Sequence, residues 1–214
     1  MDTRKIAVVA SVAAVVLALS GCSTGNAEEP TSSASTVEAA PSATSPKSVS
    51  PSASETDKYE PASANGPAKN VPVPNLPAAA KKNSEEGAAA FAEYYFELIN
   101  YVIQTNDAEP LKKSTTRECE ICGKSLIDPA GRAQISGKWQ VGGEHIYKVV
   151  DSYKSSSDKA IVTVRFEVES ADFYIKPNEL ESSKDKRPSK VAGLGMAYDS
   201  GWKVYIIDIE KSSK

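Results

Sequence analysis

The spacing of apolar residues changes near residue 138, and this change limits what the chain can fold into. Before it, four apolar residues recur at steps of four, three and four, the period of one helix face: Phe91, Tyr95, Leu98 and Val102. After it, four apolar residues alternate with polar ones, which is typical of a strand with one buried face: Val162, Val164, Phe166 and Val168. We therefore predict an α+β fold in which N-terminal helices pack on one face of a curved antiparallel sheet.

Local signals place the ends of the predicted helices. Residues 83–86 supply a cap followed by acidic residues, and Asn106 and Asp107 end the first helix. Pro110 opens a shorter helical piece, because proline is favoured in the first helical turn. A further short helix is predicted over residues 123–135.

Four strands are predicted in the second half of the chain: residues 144–153, 162–168, 190–198 and 202–209. Residues 155–158 and the triplet Asp199-Ser200-Gly201 have the composition of hairpin turns. Gly142 and Gly143 predict a bulge or a turn. Residues 178–190 carry charges of both signs and are predicted to form a solvated loop.

The composition divides the chain before the helices begin. Residues 23–77 are rich in Ser, Thr, Ala and Pro and contain one aromatic residue, Tyr59. Such a segment cannot bury a core, so residues 22–77 are predicted to be Cys22 followed by a disordered tether. Residues 78–214 have the usual size of one domain, and we expect a single α+β domain there.

Residues 1–21 have the three parts of an export signal: two basic residues, an apolar run over residues 6–19, and small residues before Cys22. The run is shorter than the roughly 20 residues that a membrane-spanning helix needs. Leu19-Ser20-Gly21-Cys22 resembles the lipobox of bacterial lipoproteins, which implies cleavage after residue 21 and a fatty-acyl anchor, such as palmitate, on Cys22. The alternative is a secretory peptide that ends at an ordinary small-residue site.

Two family resemblances rest on these patterns. The helix that ends at Asn106 before Pro110-Leu111, and the sheet that closes with residues 199–204, resemble the cone-shaped fold of nuclear transport factor two and ketosteroid isomerase. The stretch from residue 76 through Cys119-x-x-Cys122 to Gly142-Gly143 resembles an uncharacterised family of actinobacterial lipoproteins. That second resemblance implies a surface lipoprotein with a Cys-x-x-Cys pair, and it brings no known activity.

The spacing of Cys119 and Cys122 suits a zinc knuckle, a redox couple or a disulfide staple. A closed zinc site needs four ligands, and apart from Cys22 only His145 is available to join the pair. A redox couple needs a lowered thiol pKa, which the two flanking glutamates oppose. Outside the cytoplasm we expect a local disulfide worth about 2 kcal/mol, with the metal and redox roles as alternatives.

A cone-shaped fold places a cavity between helix and sheet, and four aromatic residues are predicted to line it: Phe91, Tyr95, Phe166 and Trp202. An enzyme of the isomerase or cyclase type would have four ionisable groups available: His145, Tyr147, Asp151 and Asp208. No spacing shows that any two of these converge, and a lone histidine is more typical of a satisfied core or surface residue. We therefore assign no catalytic, cofactor-binding or metal-binding residue.

The charge balance argues against a nucleic-acid partner. From residue 78 onward there are 20 Lys and Arg and 21 Asp and Glu, and no basic stripe interleaved with aromatic residues. The expected partners are the membrane, through Cys22, and an unknown protein or small-molecule ligand at the cell envelope.

The predicted function is that of a non-catalytic binding or interaction module in a lipoprotein on the outer face of the bacterial cell membrane. Two alternatives stay open. The domain could be an enzyme that uses a cone-shaped cavity, or a thiol-disulfide protein of the envelope.

Overall fold

The computed structural model describes residues 58–210. The helical part of these residues comes first: a 3-10 helix Ala79–Lys81, α1 Glu85–Thr105, α2 Glu109–Lys113, a π-helix Cys122–Ile127 and α3 Asp128–Ser136. Strands follow: β1 Trp139–Gly142, β2 His145–Lys154, β3 Lys159–Val168, β4 Ala171–Lys176, β5 Glu179–Lys184, β6 Arg187–Tyr198 and β7 Trp202–Ile209. The α+β class and the antiparallel pairing are confirmed.

The long helix α1 begins and ends at the predicted residues. Ser84 caps it, because the Ser84 hydroxyl accepts a hydrogen bond of 3.0 Å from the Gly87 N–H. Asn106 ends it in the left-handed conformation with φ of 58°, which asparagine tolerates better than most residues. α2 contains Pro110 in its first turn, as predicted. The helix predicted over residues 123–135 corresponds to the π-helix followed by α3.

The strands form two sheets rather than one. A four-stranded sheet has the order β2-β3-β6-β7, and a three-stranded sheet has the order β1-β4-β5. The four predicted strands are those of the larger sheet. The smaller sheet was missed because β1 is only four residues long and β5 has no alternation of apolar and polar residues.

α1 packs against the inner face of the four-stranded sheet and forms the core with it. Tyr95 and Leu98 of α1 are fully buried, as are Val162 of β3 and Leu194 of β6. At the start of β2, the Asn100 side chain bonds both backbone groups of His145: its oxygen accepts from the N–H (2.8 Å) and its nitrogen donates to the carbonyl (3.0 Å). The helix and the sheet edge are therefore joined by hydrogen bonds as well as by apolar packing.

The interpretation of residues 178–190 as a loop is wrong. Residues 179–184 are β5, and residue 187 already belongs to β6. Every residue of β5 is exposed, so the segment is solvated as expected. It is held as a strand by its backbone pairing to β4 and not by burial of its side chains.

The folded part of the chain begins before residue 78. Residues 58–70 form a short strap, in which Glu60 pairs with Lys69 and Ser63 with Gly66. The strap is bonded to the rest of the domain, because the Asn178 N–H donates to the Ala64 carbonyl (2.7 Å). Residues that the composition assigned to the tether are therefore part of the domain.

Candidate functional site

A groove of about 280 Å³ lies between the helices and the small sheet and opens to solvent. Its walls come from the C-terminal half of α1, from the π-helix with α3, and from the small sheet. The lining residues are Ile99, Val102, Ile103, Asn106, Ser125, Leu126, Pro129, Ala130, Ala133, Lys138, Trp139, Gln140, Phe173 and Glu181. Most of them are apolar, which is typical of small-molecule sites.

The groove stays open because α3 presents small side chains to it. Pro129, Ala130 and Ala133 line this wall, whereas α1 contributes the larger Ile99 and Ile103. Protein interiors are close-packed, so leucine or phenylalanine at the alanine positions would fill the space. The open volume is thus a consequence of side-chain size on one helix.

The third wall is the small sheet, and the strap holds it in place. Gln140 of β1 and Phe173 of β4 are partners in register, and both line the groove. The next pair, Trp139 and Tyr174, stacks with ring centroids 5.6 Å apart. The Trp139 indole N–H donates to the backbone carbonyl of Ser63 in the strap (2.8 Å).

The polar side chains of the groove form bonds within the protein and keep some of their hydrogen-bonding capacity free. Lys138 and Glu181 form an ion pair with each other. The Asn106 side-chain nitrogen donates to the Lys138 carbonyl (2.9 Å), and the Gln140 nitrogen donates to the Gly142 carbonyl (2.9 Å). Because a carbonyl oxygen only accepts, the amide nitrogen must face it, and each side chain keeps its oxygen as an acceptor and its second N–H as a donor.

A disulfide lies at the start of the groove wall that the π-helix and α3 form. Cys119 and Cys122 are bonded, with Cα atoms 5.2 Å apart, and the π-helix begins at Cys122. The buried Tyr95 hydroxyl lies 3.2 Å from Cys122 Sγ and 2.9 Å from Thr115 Oγ1. Burial raises the pKa of Tyr95 to about 12, so Tyr95 is a neutral donor that ties this wall to α1.

The surroundings of the disulfide do not favour thiol exchange. Cys119 is 3% exposed and Cys122 is fully buried. An attacking thiolate has to reach a sulfur atom in line with the disulfide bond, and burial prevents this approach. Glu118 and Glu120 are exposed beside the pair, and their negative charge opposes a thiolate.

His145 belongs to the core and not to the groove. Its ring stacks on Phe166 with centroids 5.4 Å apart and meets Phe96 edge-on at 6.0 Å. Burial, with a smaller contribution from the charge of Arg187, lowers the pKa of His145 to about 4. Its Nδ1 atom is buried and has no hydrogen-bond partner among residues 58–210. The imidazole is therefore neutral at neutral pH and no carboxylate orients it as a general base.

The other ionisable residues considered for catalysis do not converge. Tyr147 lies on the inner face beside Phe96, with ring centroids 4.9 Å apart, and burial raises its pKa to about 12. Asp151 and Asp208 are exposed. They pair with Thr163 and Gly193, on different strands of the large sheet. None of these side chains lines the groove.

The four residues predicted to line a cavity instead fill the core. Phe91, Tyr95, Phe166 and Trp202 are all buried, and none of them lines the groove. The rings pack between α1 and the large sheet as part of the hydrophobic core. The Trp202 indole N–H donates to the Lys82 carbonyl (2.9 Å), which closes the N-terminal end of this core.

Several earlier predictions concern residues that the structure does not describe. Cys22, the export signal in residues 1–21 and the tether up to residue 57 lie outside the described residues. Within residues 58–210, no cluster of three or more His, Cys, Asp or Glu side chains is placed to hold a metal ion. In the same range, no helix has the length and hydropathy needed to cross a membrane.

Sequence reasoning missed the residues that form the groove. The signal for Ile99 and Ile103 was present, because both flank the apolar face of α1 that was recognised. Lys138, Phe173 and Glu181 gave no usable signal, since their proximity depends on the pairing of β1, β4 and β5. The small residues of α3 predict little by themselves, because alanine is common in any helix.

Two solved structures give matches of low similarity. One is the intermembrane space region of the chloroplast protein ARC6, at 17% identity, a TM-score of 0.33, and coverage of 58% of this chain and 97% of that one. The other is a periplasmic fragment of TraM, at 13% identity, a TM-score of 0.37, and coverage of 60% and 98% respectively. These likenesses are too weak to support a statement about fold or function.

Sequence comparison is more informative for the family than for individual relatives. No curated protein matches the chain. A family of unknown function, DUF6318, matches residues 57–206, which span most of the chain and nearly all of the described domain. The start of the match at residue 57 agrees with the inclusion of the strap in the folded domain. The chain therefore belongs to the DUF6318 family.

Proposed function

We propose that this protein is a lipid-anchored binding protein of the cell envelope and that its domain binds a partner or small ligand in the groove. The leader in residues 1–21 and the lipobox-like Leu19-Ser20-Gly21-Cys22 support export and anchoring through Cys22. A disulfide between Cys119 and Cys122 fits an oxidising compartment. In this proposal, the residues before the strap connect the anchor to the domain.

The observation that carries the binding role is the chemistry of the groove. Its walls are mainly apolar, and its two charged groups, Lys138 and Glu181, neutralise each other. General acid-base catalysis needs an ionisable group poised to transfer a proton, and the two charged groups of this lining are paired with each other. Apolar walls with a few polar groups suit recognition instead.

We also propose that the domain has the cone-shaped fold of nuclear transport factor two. The support is the packing of a long helix, α1, on the inner face of an antiparallel sheet that ends in the hairpin of β6 and β7. In this chain the aromatic residues Tyr95 and Phe166 fill the space inside the cone. The binding site is therefore assigned to the other end of α1, beside the small sheet.

Complementation of a deletion strain tests the function. Ala133→Trp places a large ring in the groove, whereas Gln134→Trp adds the same ring at the exposed neighbouring position of α3. We expect Gln134→Trp to restore the wild-type phenotype and Ala133→Trp to fail, with both proteins folded by circular dichroism and present in the membrane fraction. Full rescue by a folded Ala133→Trp protein would show that the groove is not the functional site.

Three further variants separate binding from catalysis and test the anchor. Asp151→Asn and Asp208→Asn leave the fold and the groove unchanged, so each should rescue; loss of rescue by either folded protein would favour an enzyme. Cys22→Ala removes the acceptor thiol and should move the protein from the membrane fraction to the medium, or leave it as an uncleaved precursor. Unchanged detergent-phase partitioning of Cys22→Ala would contradict lipid anchoring.

A further inference from the structure

We infer that the groove takes an uncharged aromatic ligand that carries a hydrogen-bond donor, of the indole or phenol class. This inference rests on the proposed function, since it names the ligand class of the same site. Four properties of the groove lead to it: its volume, its aromatic rings, its charge and its unpaired hydrogen-bond acceptors.

The volume sets the size of the ligand. The groove has about 280 Å³ of space. An apolar protein cavity of about 150 Å³ holds one benzene molecule, so this groove holds roughly ten non-hydrogen atoms by proportion. Larger, drug-sized ligands need the upper part of the usual range of about 300–1,000 Å³. A bicyclic or substituted single-ring compound therefore fits the groove.

The rings of the wall favour an aromatic ligand. Phe173 and Trp139 both line the groove, and Lys184 lies over the Phe173 ring with its ammonium 4.8 Å from the centroid. Aromatic rings gain additional stabilisation from edge-on or offset contacts with other rings. The opposite walls offer Ile99, Ile103 and Ala133, which accept the flat face of a ring without a polar partner.

The charges of the groove exclude an ionic ligand. Lys138 and Glu181 are the two charged residues of the lining, and they are bonded to each other. A carboxylate or ammonium group that entered would lose hydration and would have to break this pair to find a partner. An uncharged ligand avoids both costs.

The hydrogen bonds of the lining leave two amide oxygens to accept from a donor on the ligand. Asn106 and Gln140 each donate one of their two side-chain N–H groups to a backbone carbonyl. Within the described part of the chain, neither side-chain oxygen accepts a hydrogen bond, and the only buried side-chain atoms without partners are Thr116 Oγ1 and His145 Nδ1. The two amide oxygens thus remain accessible acceptors. An indole N–H or a phenol O–H supplies the matching donor.

The test compares indole with two close analogues on the full chain carrying Cys22→Ala, with the disulfide oxidised and without detergent. Binding is followed by amide chemical shifts in two-dimensional NMR and by calorimetry. We expect indole to bind with a Kd on the order of 10⁻⁴ M, as suits a fragment of this size. The shifts should be confined to α1, α3 and the small sheet.

The analogues test the donor and the charge. 1-Methylindole lacks the N–H and should bind roughly three- to tenfold more weakly, the effect of one lost hydrogen bond. Indole-3-carboxylate carries a charge and should bind more weakly than indole at low and at high salt. Equal binding of 1-methylindole would overturn the donor assignment, and tighter binding of the carboxylate would overturn the assignment of an uncharged ligand.

Variants locate the site. Ala133→Trp should weaken indole binding by about tenfold or more because the added ring occupies the groove, while Gln134→Trp should bind as the wild type does. Gln140→Met keeps the side-chain size and removes an acceptor, so it should reduce the difference between indole and 1-methylindole. Binding that Ala133→Trp leaves unchanged would place the ligand elsewhere and overturn the inference.

The ligand class and the proposed function fail in different ways. If indole and phenols such as 2-naphthol produce no shifts in the wild type, the ligand class is wrong. If Ala133→Trp nonetheless fails to rescue the deletion strain, the groove remains the functional site with another ligand. Rescue by Ala133→Trp together with indole binding would instead show that the groove binds the compound without serving the function.

Discussion

Two faces of α1 meet different surroundings. Toward the large sheet, Tyr95 and Leu98 meet Val162 and Leu194, and these side chains are fully buried. Toward the small sheet, Ile103 meets α3 across open space and stays only partly buried. One helix therefore contributes one face to a close-packed core and another face to a wall of the groove.

The difference arises from the partners of the helix. Most inward positions of β3 and β6 carry valine, leucine, methionine or phenylalanine, and these side chains fill the volume beside α1. α3 presents alanine and proline, and β5 is exposed over its whole length. Stability should therefore depend mainly on the large sheet, while changes beside the groove should alter binding with little loss of stability.

The largest expected effect lies in the core. Leu194→Ala removes a fully buried side chain from β6 and should lower the free energy of unfolding by about 2–5 kcal/mol. Ile103→Ala, the matched change in the groove, should cost less because Ile103 is only partly buried and its site is open. Chemical denaturation of both variants measures this difference. Equal losses would show that the two regions are packed alike.

His145, the only histidine in the chain, should make the free energy of unfolding depend on pH. Its pKa is lowered by burial from 6.5 to about 4. Above pH 6.5 both the folded and the unfolded state hold a neutral imidazole. Between pH 6.5 and 4 the unfolded state binds a proton that the folded state does not, so stability falls as the pH falls.

This loss should amount to about 2 kcal/mol between pH 7.5 and pH 5. Urea denaturation across this range measures it, and His145→Leu is the control because leucine does not titrate. The difference between wild type and variant in the slope of unfolding free energy against pH gives the contribution of His145 apart from that of the carboxylates. Parallel pH profiles would mean that His145 is solvated in the folded protein.

The disulfide lies at the start of the helical wall of the groove. Replacing both Cys119 and Cys122 by alanine should lower the free energy of unfolding by about 2 kcal/mol, the chain-entropy value for so short a loop. Hydrogen exchange should become faster first in residues 122–136, which form the helical wall. If β3 and β6 lose protection to the same extent at low denaturant, the wall and the core unfold as one unit.

The smallest effect is expected at the rim of the groove. Glu181→Gln removes the partner of Lys138, and both side chains are about two-fifths exposed. Exposed ion pairs contribute less than about 1 kcal/mol, so denaturation should hardly change. The affinity for an anionic ligand should change instead, because Lys138 no longer has a carboxylate partner and can pair with the anion. Indole-3-carboxylate should then bind more tightly than it does to the wild type, as calorimetry can measure.

Local sequence signals were sufficient for the core and insufficient for the groove. Ser84 and Asn106 mark the ends of α1, because capping depends on residues within one turn. The alternation in β3 identified its buried face, because a strand reverses its side-chain direction at every residue. These features act over a few residues and can be read from the chain without knowing what lies opposite.

The aromatic residues illustrate the limit of such reasoning. Phe91, Tyr95, Phe166 and Trp202 were recognised as inward-facing residues, and they are buried. Their pattern could not tell whether they line a cavity or fill it, since that depends on the distance between α1 and the sheet. The structure shows them packed in the core and away from the groove.

The amino-acid order alone established that helices precede an antiparallel sheet, that one face of α1 is buried, and that a Cys-x-x-Cys pair lies beside the helices. The pairing of β1, β4 and β5, the strap over Trp139, and the meeting of Lys138 with Glu181 came from the three-dimensional arrangement. The physical reason is range. Caps and periodicities are properties of neighbouring residues, whereas a groove exists only where segments that are distant in the chain pack without filling the space between them.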